Sequence, residues 1–302
     1  MRGLRAAALL ATMLLVGCSG TKTRPAPAGG TRGSANAASG HADNRADRFH
    51  DDLSQPQSSR YRDGNDSVPS PIDVSKLPEP VPKVEARSLY GNKSPYTVLG
   101  HAYRVLPTAR GYDERGIASF YGNKFHGYKT SNLETYDMYA FTAASTTLPL
   151  PSYARVTNLE NGKSVIVRVN DRGPFHDNRL IDLSYAAAVK IGIWPRGTGL
   201  VEVRGIDPAH PGQELPPPAA VTSGHPGIYL QVGAFADVAN ANRLAQRLRE
   251  ASLGTVQVVD SVVNGRQLRR VRIGPLASVE RADEVSRRIE QMGLPQPQVA
   301  VD

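Results

Sequence analysis

Large apolar residues are distributed along this chain in three ways, and each predicts a different kind of structure. From residue 19 to about residue 85 they are nearly absent; the segment is built from Gly, Ala, Ser, Pro, Asp and Arg, with Pro78-Glu79-Pro80-Val81-Pro82 near its end. Such a stretch holds too little apolar surface to offset the entropy of ordering it, so it reads as a tether, semi-extended where Pro is dense. Between about Ser94 and Asp207 apolar and polar residues alternate in short runs separated by Gly, Asn and Pro: Tyr96 to Val98, Ile117 to Tyr121, Ala154 to Thr157, Ser164 to Val169 and Leu200 to Arg204. Closely spaced half-buried strands in a stretch of this size predict a small β-barrel. One helical turn pattern interrupts them, Ser184 to Ile191, with Ser184 as its cap and Gly192 as its terminator.

After a second Pro-rich linker, residues 208–226, the periodicity changes again. Tyr229 to Phe235 reads as a strand, and Asp237 to Ala251 carries Ala241, Leu244, Ala245 and Leu248 at the i, i+3, i+4, i+7 spacing of an amphipathic helix. Val256 to Val263 and Gln267 to Ile273 flank Asn264-Gly265, a two-residue hairpin signal. Ser278 to Met292 is a second helix, and Gln298 to Val301 closes the sheet. Residues 227–302 therefore predict a ferredoxin-like βαββαβ unit with both helices on one face and the other face open. Tyr229, Gln231 and Phe235 alternate onto one face, with Arg270 and Arg272 onto a neighbouring one, opposite Val232, Val271 and Ile273. A surface of this kind suits sugar hydroxyls and N-acetyl groups; the plainer reading is a solvated polar face.

Candidate chemistry sits where one barrel strand ends. Val165, Val167 and Val169 alternate with Ile166, Arg168 and Asn170, and the run meets Asp171-Arg172 before Gly173-Pro174 stops it. Asp171 is thereby placed rigidly at a sheet mouth, with Arg168 and Arg172 near enough to shape its charge. A second acid, Glu134, lies in the polar loop Lys129 to Asp137. Two carboxylates suit glycoside chemistry. The plainer alternatives are a turn-capping role for Asp171 and a solvated loop acid for Glu134. Asp137 reads as a cap or turn residue, and His101 and His126 are too scattered for a metal site.

The N-terminus adds an address. Arg2 and Arg5 precede an apolar run from Ala6 to Val16 and then Gly17-Cys18, a charged region, an apolar region and a small-residue cleavage site. The run falls short of the ~20 residues a spanning helix needs. Cys18 is the only cysteine, so after its lipidation no disulfide and no Cys-based metal site remains. Losing Arg2 and Arg5 with the leader takes the formal net charge from +8 to +6, still basic. No Lys/Arg block is dense enough for a nucleic-acid arm, and neither cofactor nor metal is implied.

These motifs together resemble the rare lipoprotein A family: Gly116 to Gly122 (GIASFYG), Phe125-His126-Gly127, Phe141 to Ala144 (FTAA), Thr147 to Leu150 (TLPL), Ala154 to Asn158 (ARVTN) and Val169 to Phe175 (VNDRGPF). The C-terminal unit, with Gln231 to Phe235 and Arg270 to Pro275, resembles a SPOR domain. The resemblance implies a leader over residues 1–17, a tether over 18–93, a double-psi β-barrel related to expansins over 94–207, and a module for peptide-free peptidoglycan strands over 227–302. It implies Cys18 as the lipid anchor, with Ser19 after it matching sorting to an outer membrane and the folded parts in the periplasm. The implied activity is lytic transglycosylation between N-acetylmuramic acid and N-acetylglucosamine, leaving 1,6-anhydro ends, at division septa where septal proteins are potential partners. Asp171 is expected as acid/base and Glu134 as its partner, with Tyr121, Arg172, Tyr229, Gln231, Phe235, Arg270 and Arg272 on the substrate. The chain departs from the family's pattern at Ser145, where His is common, at Leu133, where Gly is common, and at Phe120, where Trp is frequent. A second reading, a glycan-binding lipoprotein without catalysis, follows from those departures. Convergence of two carboxylates in one groove separates the two readings.

Overall fold

Residues 67, 72–211, 226–263 and 265–302 are described in the computed structural model. The leader, Cys18 and most of both Pro-rich stretches lie outside the described residues. A short ribbon of β1 (Tyr96–Val98) and β2 (His101–Tyr103) precedes six strands that close into a barrel: β3 (Asp113–Tyr121), β4 (Thr142–Ala144), β5 (Ser152–Asn158), β6 (Ser164–Asp171), β7 (Arg179–Ser184) and β8 (Gly199–Ile206). Their order around the barrel is β3-β7-β4-β6-β5-β8. The pairs β3 with β7 and β4 with β6 are parallel, and the rest are antiparallel. Val165, Val167 and Val169 of β6 point inward and are fully buried beside Ile181, Leu183, Val201 and Val203. Helix α1 (Tyr185–Ile191) follows β7 as its sequence predicts: the Ser184 hydroxyl accepts the Ala187 amide, and Gly192 ends it at φ 76°. Ala186, Ala187, Ala188 and Ile191 seat it on the barrel.

The tether expected up to residue 93 ends earlier. Residues 72–93 run along the barrel as a strap, with Ile72, Val74 and Leu77 packed against its core. Glu79 accepts the Ile166 amide at 3.2 Å. The Ser88 amide donates to the Leu150 carbonyl at 2.9 Å, and Asn92 accepts the Leu150 amide at 2.8 Å. Glu85 holds Tyr153 and Arg168. The strap's apolar residues Ile72, Val74 and Leu77 come singly among polar residues, so no periodicity announces it; isolated side chains hold it on the barrel.

The C-terminal part is β9 (Ile228–Phe235), α2 (Val238–Glu250), β10 (Val256–Val263), β11 (Arg266–Leu276), α3 (Val279–Gln291) and β12 (Gln298–Val301). The sheet runs β10-β11-β9-β12, all antiparallel. Asp237 and Ser278 cap the helices, whose Ala241, Ala245, Leu248, Ala282, Val285 and Ile289 are buried with Leu230, Val271 and Ile273. Val271 pairs with Gly233 but Arg272 pairs with Gln231, which leaves Val232 as the extra residue of a β-bulge. Beyond a bulge the alternation inverts. Phe235 therefore lies on the helix face, where a Cβ on Gly233 would meet both its ring and Leu244. Its placement beside Tyr229 and Gln231, expected from simple alternation, is corrected. Among the described residues no helix is long and apolar enough to cross a membrane.

Candidate active site

Ala144 at the end of β4 pairs with Asp171 of β6 on one side and Asp182 of β7 on the other. Strands lie ~4.8 Å apart, so the two aspartates stand roughly 10 Å apart at Cα, level with each other at the barrel mouth. Both line one cleft of about 1090 Å³, together with Ser119, Phe120, Phe125, Ser131 and Phe175. Three donors converge on one oxygen of Asp171: the Ser131 amide at 2.8 Å, the Ser131 hydroxyl at 2.6 Å and the Arg172 amide at 2.7 Å. Burial pushes its pKa up and these bonds oppose the rise. Asp182 has the Ser119 hydroxyl on one oxygen. Burial pushes it up as well, opposed by that bond and by the charges of His176 and Arg179, while the charge of Asp171 adds to the rise. Three hydrogen bonds thus reach the Asp171 carboxylate and one reaches Asp182, which leaves Asp182 the less hydrogen-bonded of the two. Asp182 sits inside Leu180-Ile181-Asp182-Leu183, an apolar run that offers no turn or loop signal; the signal present is a lone acid on the strand face opposite the core residues Ile181 and Leu183.

Glu134 does not line this cleft. Its carboxylate takes Arg168 at 2.7 Å, Asn170 at 2.9 Å and Asn132 at 2.9 Å. Burial pushes its pKa up, but these bonds outweigh it and hold it below the ordinary value. Arg168 is shared with Glu85 of the strap, so Glu134 braces Arg168 and Asn170 of β6 next to Asp171. The groove of converging carboxylates exists, with Asp182 where Glu134 was expected. Asp137 accepts the Tyr139 amide as a turn acid, and among the described residues no group of His, Cys, Asp and Glu is spaced to hold a metal ion.

Leu133 adopts φ 69°, the left-handed conformation that a leucine resists by ~1 to 2 kcal/mol. It turns the loop that presents Ser131 to Asp171. Leu133→Gly is expected to stabilise the protein by about 0.5 to 1 kcal/mol, net of glycine's added chain entropy, raising the melting temperature by roughly 1 to 4 °C. A thermal denaturation scan checks this; a lower melting temperature would show that the exposed Leu133 side chain contributes more than its backbone costs.

Two expected substrate contacts, Arg172 and Tyr121, line the cleft and also hold its frame together. Arg172 donates to the carbonyls of Gly91 (2.6 Å), Ser145 (2.8 Å) and Leu148 (2.6 Å) and to Asn92 (3.2 Å). Burial lowers its pKa to about 10, which still leaves it charged at neutral pH. It ties strap, turn and Asp171 together, leaving little of its donor capacity for a sugar. The Tyr121 ring is buried and stacked on Tyr136 at 4.2 Å. Ser145 is buried as well, accepting the Thr147 and Leu148 amides in the turn that Arg172 clasps. The half-buried Phe120, Phe125 and Phe175 are the rings a sugar can reach.

On the C-terminal sheet, Tyr229, Gln231, Arg270 and Arg272 do share the open face, in the register Gln231 with Arg272 and Ala234 with Arg270. Arg272 is held by Asp302 at 2.6 Å, whereas Arg270 makes no ion pair among the described residues. Phe235→Ala is expected to cost about 2 kcal/mol and lower the melting point of this part by ~10 °C. Arg270→Ala leaves melting unchanged and weakens glycan-strand binding about tenfold. Calorimetry beside a co-sedimentation assay separates the two; binding lost without stability in Phe235→Ala would return that ring to the open face.

A closed six-stranded barrel joined to a four-stranded sheet with two helices on one face defines a double-psi barrel protein carrying a SPOR module. Residues 113–204 match the family model described as lytic transglycolase, and residues 224–300 match that of the SPOR domain. The endolytic peptidoglycan transglycosylase RlpA of Pseudomonas aeruginosa strain UCBPP-PA14 is 43% identical over 281 residues, covering 74% of this chain and 81% of that protein. The protein of the same name from Vibrio cholerae is 40% identical, covering 78% of this chain and 86% of its own. The crystal structure of the RlpA SPOR domain from Pseudomonas aeruginosa is 35% identical over 24% of this chain and 97% of that one, with a TM-score of 0.24. The chain belongs to the RlpA family.

Proposed function

We propose that this protein is an endolytic lytic transglycosylase of peptide-free peptidoglycan strands, with Asp182 as its acid/base and Asp171 as its ionised partner. The observation that carries the reading is the pairing of both aspartates with Ala144 at the mouth of one cleft. In the first half-reaction Asp182 donates its proton to the glycosidic oxygen between N-acetylmuramic acid and N-acetylglucosamine as the C1–O bond breaks. Positive charge grows on the muramyl ring, and Asp171, whose three donors favour its anion, offsets it. The now ionised Asp182 then takes the proton of the muramyl C6 hydroxyl as that oxygen bonds C1, which closes the 1,6-anhydro ring and restores the acid. No water enters the balance. Glu134 acts through Arg168 and Asn170 as a positioning residue.

The open sheet face of the SPOR module, with Tyr229, Gln231, Arg270 and Arg272, holds a second stretch of the same strand, and two tethered sites raise the effective concentration of one for the other. Acylation at Cys18 anchors the chain to the outer membrane facing the periplasm, where bare strands at division septa concentrate it, alongside septal proteins. The competing reading is a strand-binding lipoprotein without catalysis. Digestion of amidase-treated glycan strands with the chain lacking residues 1–18 tests the choice: 1,6-anhydro fragments in the mass spectrum are expected, and intact strands that co-sediment with the protein would favour binding alone.

A further inference from the structure

The cleft is not walled by the barrel alone. Helix α3 of the SPOR module lies against the start of β7 and the segment before it, where Arg179 holds Asp283 through two bonds of 3.0 and 2.7 Å. Asn178 donates to Asp283 at 3.0 Å and to the Ser286 hydroxyl at 2.9 Å, and Gln296 bonds Asp177. Ile117, Leu159 and Leu200 of the barrel share one apolar cluster with Leu230, Val285 and Ile289 of the module. A two-pronged guanidinium–carboxylate contact fixes orientation as well as distance, and here the Arg179 side chain is only 12% exposed. In consequence Asp283, Ser286 and Arg287 line the same cleft as Asp171 and Asp182. At about 1090 Å³ the cleft exceeds the ~300 to 1,000 Å³ of sites for single drug-sized molecules, so it has room for an oligosaccharide.

The charges on this wall are not equivalent. Asp283 is neutralised by Arg179, and its pKa is held down: burial raises it, but the bonds from Arg179 and Asn178 prevail. Arg287 is exposed, donates from Nε to the Asp283 carbonyl one turn back at 3.3 Å, and adds its charge to the lowering of the Asp283 pKa while closing no ion pair of its own among the described residues. A cation is therefore available on the wall of a glycan cleft whose ligand is largely uncharged. The one anionic group a bare strand presents at regular intervals is the lactyl carboxylate of each muramyl residue. That group is an amide while a stem peptide is attached and becomes a carboxylate when the peptide is removed. We infer that Arg287 of the SPOR helix is a specificity-determining residue of the catalytic cleft, pairing with a free lactyl carboxylate and so favouring peptide-free strands. This rests on the strand-cleaving reading above and deepens it. The module then selects substrate at the site of cleavage as well as holding the strand on its open face.

The test uses the chain from residue 19 to 302 and short peptide-free strands, either with free lactyl carboxylates or with these converted to methylamides. Wild type is expected to favour the free form about tenfold in kcat/KM, the effect of one well-formed guanidinium–carboxylate pair. Arg287→Gln is expected to bring the ratio to twofold or less, and Arg287→Lys to retain part of it. An undiminished ratio in Arg287→Gln would overturn the inference. The same ratio is read as Kd by fluorescence anisotropy in the Arg270→Ala background, so an absence of cleavage would sink the enzymatic reading while selectivity remained measurable. Asn178→Cys with Ser286→Cys supplies the second arm, since residues 19–302 contain no other cysteine: a disulfide under mild oxidation is expected, and failure to form it would show that α3 does not wall the cleft.

Discussion

Asp182→Asn is expected to lower strand cleavage about 10³-fold, the scale on which a single general acid/base acts, while leaving the fold intact. Asparagine keeps an oxygen for the Ser119 hydroxyl but has no proton to donate and no anion to receive one. The sign of the stability effect separates this residue from a structural acid. Its folded pKa is raised by burial and by Asp171, so its contribution favours the fold below the ordinary carboxylate pKa of ~3.9 and is lost as pH rises through the folded value. At pH 7 the variant should therefore melt no lower than wild type, with any gain shrinking toward pH 4. Wild-type activity should fall on its alkaline limb as Asp182 loses its proton, a limb absent from the residual rate of the variant. Glu134→Gln, by contrast, should reduce turnover about tenfold and leave that limb in place. Rate–pH profiles beside thermal scans check the set; full loss in Glu134→Gln with activity retained in Asp182→Asn would reverse the assignment.

Removing the strap is the second large effect. A chain starting at residue 94 loses Ile72, Val74 and Leu77 from the barrel surface, worth about 1 to 2 kcal/mol each for partly buried side chains. It also loses the bonds at Glu79, Ser88 and Asn92. The electrostatic consequence is larger than the count of contacts suggests. Arg172 loses its bonds to Gly91 and Asn92, and Arg168 and Tyr153 lose Glu85, so buried polar groups are left unpaired. A total near 5 kcal/mol is expected, or a melting temperature lower by ~10 to 20 °C, with cleavage falling in step because Arg172 adjoins Asp171. A chain starting at residue 72 should behave as the full soluble protein does. Equal melting of the chains starting at 72 and 94 would reduce the strap to an ornament.

How much of this was legible beforehand depended on periodicity. The elements with a clean period stand where their pattern put them: the strand ending at Asp171, the helix closed by Ser184 and Gly192, and the βαββαβ unit with its capped helices. Strand β4 was missed because three residues show no period, and β7 because its charged first residue and interior acid broke the alternation. With those two strands went Asp182, since the pairing that levels it with Asp171 runs through Ala144 of β4. Register is a property of strand neighbours, and non-local parallel pairing leaves no local trace in the chain. The Phe235 error has the same root in miniature: one extra residue at Val232 inverts all that follows. Leu133 is the reverse case: a leucine where glycine is common suggests an altered loop backbone, yet the structure keeps the left-handed conformation there.

The central claim is that cleavage occurs without water. Digesting peptide-free strands in oxygen-18-labelled water and weighing the muramyl ends reads this in one step. The account predicts 1,6-anhydro ends free of label with the wild-type soluble chain and none with Asp182→Asn; reducing ends carrying the heavy oxygen would contradict it.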